Sequence, residues 1–160
     1  MHDPLVADAL ARTHTDEIRS ILEEVCRLTN MGFAAVARVT EERWIACQVV
    51  DKIEFGLDPG DELKIKTTIC DDIRQCGRRV VIDHVTADPD WRTHPTPMLY
   101  GFESYASLPI ILDDGSFFGT LCAIDPEPRE LSAPEVVAKL EAFAKRVSAI
   151  ISGGDRTRVP

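Results

Sequence analysis

The five cysteines are the residues of this chain best suited to covalent chemistry. They are scattered, at Cys26, Cys47, Cys70, Cys76 and Cys122. No pair has the CxxC spacing of zinc sites and thioredoxin motifs. Cys70 lies near the start of a predicted short helix, a position that lowers a thiol pKa. Cys76 lies about 240° further around that helix, too far to resolve an oxidised Cys70 easily. Buried structural thiols are therefore the favoured interpretation, and a thiol oxidoreductase is the weaker one.

A second group of candidates lies in and beside the irregular segment 84–103, which contains three prolines. Small-molecule sites combine apolar walls with a few polar groups. The apolar candidates are Trp91, Met98, Tyr100, Phe102 and Tyr105. His94, Arg92 and Thr96 could supply the polar contacts. These side chains could equally form a small core that fills the pocket, and the sequence leaves both interpretations open.

Arg38 is the third candidate, because it stands inside an apolar predicted strand. A buried charge without a partner is costly. Asp125, at the end of another predicted strand, is a possible ion-pair partner. A structural ion pair is favoured over recognition of an anionic ligand.

Composition and the missing motifs exclude several classes of protein. The formal net charge of -9 and the lack of a basic cluster argue against a partner that is nucleic acid or anionic lipid. There is no nucleophile motif, phosphate-binding glycine loop or HExxH sequence. No apolar run approaches the ~18 residues of a membrane span, and the N-terminus lacks signal-peptide features. We therefore expect a cytoplasmic protein that is not an enzyme.

Hydrophobic periodicity and turn signals predict the elements that position these residues. A helix is expected from Thr15 to Asn30, and a long helix from Ala133, with Ser132 as its cap, to a stop at Gly153 and Gly154. A short helix over 69–76 is expected to be capped by Thr68 and ended by Gly77. The predicted strands are 33–40, 43–50, 80–83, 105–112 and 116–124, the last two joined by the Asp-Gly turn at 114–115.

Strands joined by hairpins predict an α+β domain with one antiparallel sheet. The terminal helices are expected on one face, with the loops and short helices on the other. Pro109 predicts a bulge or an unpaired position in the closing hairpin. The expected organisation is a single domain over 13–152, a flexible N-terminus over 1–12 and a disordered tail over 153–160.

Several segments together resemble the GAF domain family, over about residues 15–152. Residues 115–125 (GSFFGTLCAID) are similar to the closing hairpin of that family, and 102–110 (FESYASLPI) to the strand before it. Residues 67–70 (TTIC) and 79–83 (RVVID) resemble its short helix and following strand, and 33–39 (FAAVARV) its first strand. The sequence most resembles the GAF modules at the front of bacterial sensor histidine kinases.

This resemblance implies a profilin- or PAS-like sheet of five to six strands and a pocket between the sheet and the irregular connections. It also implies terminal helices that pair with a second copy and signal to an output domain, such as a histidine kinase. Photosensory members anchor a bilin through a loop cysteine, but residues 90–94 contain none, so a covalent bilin is not expected. One branch of the family reduces methionine sulfoxide with paired cysteines.

We therefore predict a regulatory sensor in bacterial signal transduction that binds an unidentified small molecule. The ligand contacts are expected from Arg38, Cys70, Trp91, His94, Met98, Tyr100, Phe102 and Tyr105. The alternative is a ligand-free dimerisation module. In that case the partner would pack on the helices over 18–28 and 136–151, where Val147 is expected to be exposed.

Overall fold

Five helices and six strands make up the computed structural model, which describes residues 3–156 apart from the side chains of Lys66, Asp71 and 154–156. The helices are α1 (Pro4–Thr13), α2 (Asp16–Thr29), α3 (Cys70–Cys76), α4 (Pro95–Tyr100) and α5 (Pro134–Arg156). The strands are β1 (Phe33–Val39), β2 (Trp44–Asp51), β3 (Glu62–Leu63), β4 (Val80–Ile82), β5 (Ser104–Ile111) and β6 (Phe117–Asp125). Two short 3-10 turns, Ile65–Thr67 and Val85–Ala87, precede α3 and follow β4.

All six strands form one antiparallel sheet in the order β3-β2-β1-β6-β5-β4. Side chains alternate along β1, so Ala34 and Val36 join one hydrophobic core while Ala35 and Ala37 join the other. The first core, which we call the helix-side core, lies under α1, α2 and α5. The second, the loop-side core, lies under α3 and the irregular connections. The predicted α+β architecture with two covered faces is confirmed.

The N-terminal segment differs from its expected flexible state, because α1 forms there. Asp3 caps this helix by accepting from the backbone N–H groups of Leu5 and Val6. The same carboxylate forms an ion pair with Arg43 at 2.7 Å. Ala9 and Thr13 are buried. This helix is short and its apolar pattern is weak, so tertiary contacts with β2 and α5 stabilise it rather than its own periodicity.

The last helix also departs from the prediction at both ends. Ser132 does not cap it, because its hydroxyl donates to Asp83 at 2.6 Å instead. The helix continues through Gly153 and Gly154 to Arg156, so these glycines do not stop it. Val147, expected to be exposed, is fully buried in the helix-side core. Of the predicted disordered tail, residues 157–160 lie outside the described residues.

The closing hairpin contains a bulge, though not at Pro109. Pro109 pairs with Thr120 in register, and the irregularity falls between Ile110 and Ile111. One extra residue on β6 therefore turns Phe118 into the helix-side core. The next residue, Gly119, lies where β6 approaches β1 very closely. A Cβ at this position would be 1.8 Å from the carbonyl oxygen of Ala37.

We predict opposite effects for alanine at two glycines. Gly119→Ala should lower the free energy of unfolding by about 3 kcal/mol, because the clash is with backbone of a central strand. Gly153→Ala should raise it by about 0.5 kcal/mol, since this helical position has nothing within 4 Å of the added Cβ. Urea denaturation measures both. A Gly119→Ala variant with the wild-type midpoint would contradict the close β1–β6 contact.

Candidate ligand-binding site

A small buried cavity lies between the loop-side face of the sheet and the elements that cover it. Its volume is about 50 Å³. The residues around it are Phe33, Trp44, Phe55, Leu57, Leu63, Thr68, Ile69, Cys70, Thr96, Tyr100, Phe102, Tyr105, Cys122 and Ile124. No charged side chain stands in this lining. The cavity has room for a few water-sized molecules and is far smaller than the 300–1,000 Å³ or so of typical ligand pockets.

An open cleft of about 500 Å³ adjoins this cavity on the outside. The cleft lies between the loop over 53–57 and residues 99–102 at the end of α4. Six residues border both spaces: Phe55, Leu57, Leu63, Tyr100, Phe102 and Ile124. The rings of Phe55 and Tyr100 are 6.2 Å apart between centroids. These side chains are therefore the wall between the solvent-facing cleft and the buried cavity.

A still larger concavity, about 890 Å³, is a groove between α5, β5 and the turn after α3. Many of its lining side chains are exposed, including Arg78, Arg79 and Lys145. The smaller cavity is the stronger candidate site, because most of its lining residues are buried and they include two cysteines and the indole of Trp44.

Cys70 stands at one wall of the cavity, in the first turn of α3. The expected cap of this helix is wrong, since the Thr68 hydroxyl donates to the Ile65 carbonyl oxygen and the helix has no side-chain cap. Gly77 ends α3 in the left-handed conformation, as predicted. The short helix therefore places the Cys70 sulfur against the sheet, where it is 2% exposed.

Three hydroxyl groups of β5 and β6 surround that sulfur. The Cys70 Sγ lies 3.2 Å from the Thr120 Oγ1, 3.5 Å from the Tyr105 Oη and 3.7 Å from the Ser107 Oγ. Cys122 belongs to the same patch, because it pairs with Ser107 across the strands and is two residues from Thr120 on β6. Its thiol borders the same cavity as Cys70. The structure thus brings together two cysteines separated by 52 positions (122 less 70).

Hydrogen bonds make Cys70 the more acidic of the two thiols. The Cys122 thiol contributes most, followed against the cost of burial by Thr120 and Tyr105, and these groups lower the pKa of Cys70 to about 6. The same pairing, together with burial, raises the pKa of Cys122 well above its ordinary range. Burial and the nearby Cys70 also raise the pKa of Tyr105. The pair therefore favours a thiolate at Cys70 beside a thiol at Cys122 over two thiolates.

Trp44 contributes the most unusual polar group of the cavity. Its side chain is 3% exposed and lines the cavity. The buried indole N–H reaches no acceptor within hydrogen-bond geometry among the described residues. Buried N–H groups are nearly always paired in folded proteins. An unpaired donor in an apolar cavity is therefore a candidate ligand contact.

Four of the residues predicted to contact a ligand border the cavity: Cys70, Tyr100, Phe102 and Tyr105. The Tyr100 hydroxyl is hydrogen-bonded to the Thr67 hydroxyl at 2.5 Å. The rings of Phe102 and Tyr105 stack with centroids 5.1 Å apart. Thr96, another predicted polar contact, lies beside them and donates to the Thr67 carbonyl oxygen. The loop therefore fills part of the site and lines the rest of it. Each of the two interpretations left open by the sequence, a lined pocket and a small core that fills the pocket, describes part of the site.

Three other predicted residues do not border this cavity. Met98 is 75% exposed on α4. The His94 Nδ1 accepts from the Thr96 N–H and so caps α4. Trp91 packs against the loop-side core and against His94, with ring centroids 4.9 Å apart. Arg92 is exposed. Trp91 and His94 thus support the loop.

Arg38 lies on the opposite side of the sheet, so its predicted place in the site is wrong. Its guanidinium donates to the Phe118 carbonyl oxygen at 2.5 Å and lies over the Phe118 ring, 5.1 Å from the centroid. The predicted ion pair with Asp125 is also wrong, because Arg38 and Asp125 lie at opposite ends of the β1–β6 ladder. Asp125 pairs with Arg129 at 3.0 Å instead.

Sequence reasoning missed Trp44 and Cys122, the two residues that complete the site. Thr120, Cys122 and Ile124 follow one another at every second position of β6, so strand periodicity alone could have placed all three on one face. Which face that is depends on the register of β6 with β1 and β5, which carries no clear sequence signal. Trp44 opens β2 after a turn, and nothing local indicates that its N–H lacks a partner.

Comparison with known proteins identifies the family. The sequence profile described as the GAF domain matches residues 14–151, so this chain belongs to the GAF domain family. No curated protein matched the chain. Within the described residues, no helix is long and apolar enough to cross a lipid bilayer. No cluster of three or more His, Cys, Asp or Glu side chains in that part of the chain could hold a metal ion.

Solved GAF-type structures share the fold at low sequence identity. The GAF domain of a two-component sensor histidine kinase from Bacillus halodurans has a TM-score of 0.68 and 13% identity, over 89% of this chain and 96% of that one. The PixJ GAF domain from Thermosynechococcus elongatus, in its blue-light absorbing form, has a TM-score of 0.69 and 11% identity, over 95% of this chain and 89% of that one. A type II free methionine-R-sulfoxide reductase from Thermoplasma acidophilum has a TM-score of 0.64 and 11% identity, over 92% of this chain and 94% of that one.

We predict that Cys70 makes stability depend on pH. Its pKa is lower in the folded state, about 6 against an ordinary 9.0. Its contribution is therefore complete above pH 9 or so, and is lost as the pH falls through about 6. The free energy of unfolding should rise across this window, by at most about 1.4 kcal/mol per pH unit. Cys70→Ser should remove that rise in urea denaturation, and the exposed Cys76→Ser should keep it. Equal slopes in all three proteins would contradict the assignment.

Proposed function

We propose that this GAF domain is a sensing module that binds a small, uncharged molecule in the buried cavity and relays its binding state to the terminal helices. The observation that carries the proposal is the unpaired N–H of Trp44. Leaving a buried donor unsatisfied costs about 1–3 kcal/mol. A ligand with a hydrogen-bond acceptor would recover that energy, and the apolar walls would bind the rest of it.

The outer cleft supplies the route into the cavity. The side chains between the two spaces are mainly aromatic and leucine residues, which can change rotamer without breaking a backbone hydrogen bond. Rotation of Phe55 or Tyr100 would join the spaces. A ligand of a few heavy atoms fits the inner space, and a longer one would extend into the cleft.

Two aspartates connect the site to the helices that would carry the signal. Asp125 follows Ile124, a cavity residue, and its carboxylate accepts from the Gly32 N–H at 2.8 Å, just beyond the end of α2. Asp83 follows β4 and accepts from the N–H groups of Leu131 and Ser132, just before α5. A shift of β6 or β4 on ligand binding would therefore move the ends of both helices.

The likeness to the GAF domain of a bacterial sensor histidine kinase supports a role in signal transduction. In such a role the helices would act on an output domain, and the domain itself would perform no catalytic turnover. The cavity volume supports a small ligand in place of a tetrapyrrole, whose ring system is many times larger.

We predict that Trp44→Phe weakens ligand binding by about tenfold while leaving the fold intact. The change removes the N–H and keeps an aromatic ring in the wall, and one hydrogen bond corresponds to about 1 kcal/mol or more. The measurement is native mass spectrometry with a panel of small neutral amides and ketones, beside the indole N–H signals in a nitrogen-15 NMR spectrum.

Trp91→Phe is the matched control, since Trp91 does not border the cavity. It should bind like the wild type, and the indole signal that remains in it should shift on binding. The proposed site would be contradicted if no compound of the panel shifts the Trp44 signal and the purified protein carries no bound mass.

A ligand-free dimerisation module is a second candidate, and one feature of α5 favours it. Ala138, Ala142 and Ala149 form an exposed stripe along the outer face of this helix. Small side chains allow two helices to approach closely. By contrast, the exposed face of α2 is mostly charged and polar. A homodimer would therefore pair α5 with α5.

We predict that Ala142→Glu converts such a dimer into monomers, as measured by light scattering across a concentration series. Lys139→Glu, an exposed change on the same helix, is the control for added negative charge. A dimer that survives Ala142→Glu excludes this stripe as the interface. Val147 is unsuitable for the test, because glutamate at that buried position would disrupt the helix-side core.

A further inference from the structure

We propose that Cys70 and Cys122 form a reaction site for a small, uncharged hydroperoxide, which the cavity admits and which converts the two thiols into a disulfide. The inference rests on the proposed function, since it names the class of ligand that the cavity would take. It makes the cavity a chemical detector in which occupancy is recorded as a covalent bond.

The geometry of the two thiols carries this proposal. Both side chains border the same cavity, and both are free cysteines. They also share neighbours, because the Cys70 sulfur lies 3.2 Å from the Thr120 Oγ1 and 3.7 Å from the Ser107 Oγ, and Cys122 is the cross-strand partner of Ser107. The other cysteines lack this arrangement: Cys76 is exposed at the end of α3, and Cys26 and Cys47 belong to the helix-side core. The Cys70–Cys122 pair is thus the one that a cavity-sized oxidant could reach.

The groups around Cys70 favour its thiolate. When Cys70 is deprotonated, the hydroxyls of Thr120 and Tyr105 can both donate to its sulfur. The thiolate is the nucleophilic form of cysteine. Trp44 borders the same space, and its buried N–H has no partner among the described residues. It is placed to donate to an oxygen of the hydroperoxide and to stabilise negative charge as that oxygen leaves.

The reaction proceeds in two balanced steps. The Cys70 sulfur attacks one oxygen of the hydroperoxide, the O–O bond breaks, and the leaving oxygen takes the proton that the thiol released. The products are Cys70 sulfenic acid and an alcohol, or water from hydrogen peroxide. The Cys122 sulfur then attacks the Cys70 sulfur, the S–O bond breaks, and hydroxide leaves with the Cys122 proton as water. Two thiols are oxidised by two electrons, and one hydroperoxide is reduced.

The walls of the site select the substrate class. The inner space of about 50 Å³ excludes bulky oxidants. Its uncharged lining disfavours anions and zwitterions, which would lose their hydration without gaining a partner. The outer cleft offers Glu54 and Asp125 but no Lys, Arg or His in its lining. A methionine sulfoxide, which carries a carboxylate, therefore fits this site less well than a neutral hydroperoxide.

A disulfide here would also have a structural effect suited to signalling. It would bind the start of α3 to β6, three residues before Asp125, the residue that holds the end of α2. The proposed signal path therefore begins at the strand that the reaction modifies. A thiol or dithiol reductant from solution would be needed to reset it.

The test is oxidation of the folded protein with hydrogen peroxide, followed by intact mass measurement and peptide mapping without reduction. We expect a loss of about 2 Da, one Cys70–Cys122 disulfide, and recovery of the original mass with dithiothreitol. Cys122→Ser should stop at the first step, with about 16 Da added at Cys70 that a sulfenic acid trap captures. Trp44→Phe should slow oxidation by about tenfold if its N–H stabilises the leaving oxygen.

Cys76→Ser and Trp91→Phe are the matched controls, and both should oxidise at the wild-type rate. Oxidation confined to Cys76, or an unchanged Cys70 at peroxide concentrations that oxidise Cys76, overturns the inference. That failure is distinguishable from failure of the proposed function. A neutral ligand that shifts the Trp44 signal in a protein with unreactive Cys70 would leave the sensing cavity in place and remove only its chemistry.

Discussion

The contact between β1 and β6 at the centre of the sheet is the constraint on which the rest of the molecule depends. At Gly119 the two backbones come so close that a single added carbon would collide with the Ala37 carbonyl. Small residues along β1 permit this approach, and alternation divides their neighbours between two cores. Every element of the site is positioned from this pair. Cys122 stands on β6, Trp44 on the strand next to β1, and the tyrosine and serine hydroxyls on the strand next to β6.

The two cores have different chemistry, which locates function on one of them. The helix-side core is mostly aliphatic, although it also holds Phe118 and the thiols of Cys26 and Cys47, and Arg38 at its edge is satisfied by a carbonyl oxygen and an aromatic face. The loop-side core contains thiols, hydroxyls and an indole N–H without a partner. Buried polar groups that weaken packing persist at sites where they do something else. An apolar residue in place of Cys70 or Trp44 would fill the space without unpaired donors, so stability alone does not explain these residues.

How much of this could be predicted from the sequence varied with the range of the interactions involved. Five of the six described strands, the Asp-Gly hairpin and the helix over Ile18 to Leu28 follow from local periodicity, and their arrangement in one antiparallel sheet was correctly inferred. The strand β3 and the helix α4 were not predicted, because both lie in segments whose local pattern indicates irregular structure. The N-terminal helix was not, because contacts with β2 stabilise it and its own pattern is weak. Arg38 was wrongly predicted to lie at the ligand site, although it is on the opposite face of the sheet, for a similar reason. A charge within a strand was expected to need a carboxylate, whereas a carbonyl exposed by a bulge satisfies it.

The cysteines show most clearly that local sequence patterns do not reveal long-range contacts. Reasoning within one helix compared Cys70 with Cys76, and correctly found that they face apart, but the partner of Cys70 lies on a strand far along the chain. Only the register of β5 and β6 brings Cys122 beside Ser107 and Thr120, and so beside the sulfur of Cys70. A thiolate stabilised by groups from three separate segments cannot form in a partly folded chain. Its acidity is therefore a property of the completed sheet, and any change that moves β6 relative to α3 must also change the reactivity of Cys70. This coupling suits the proposed sensing role, because the thiol proposed to receive the signal and the strand proposed to transmit it are held by the same contacts.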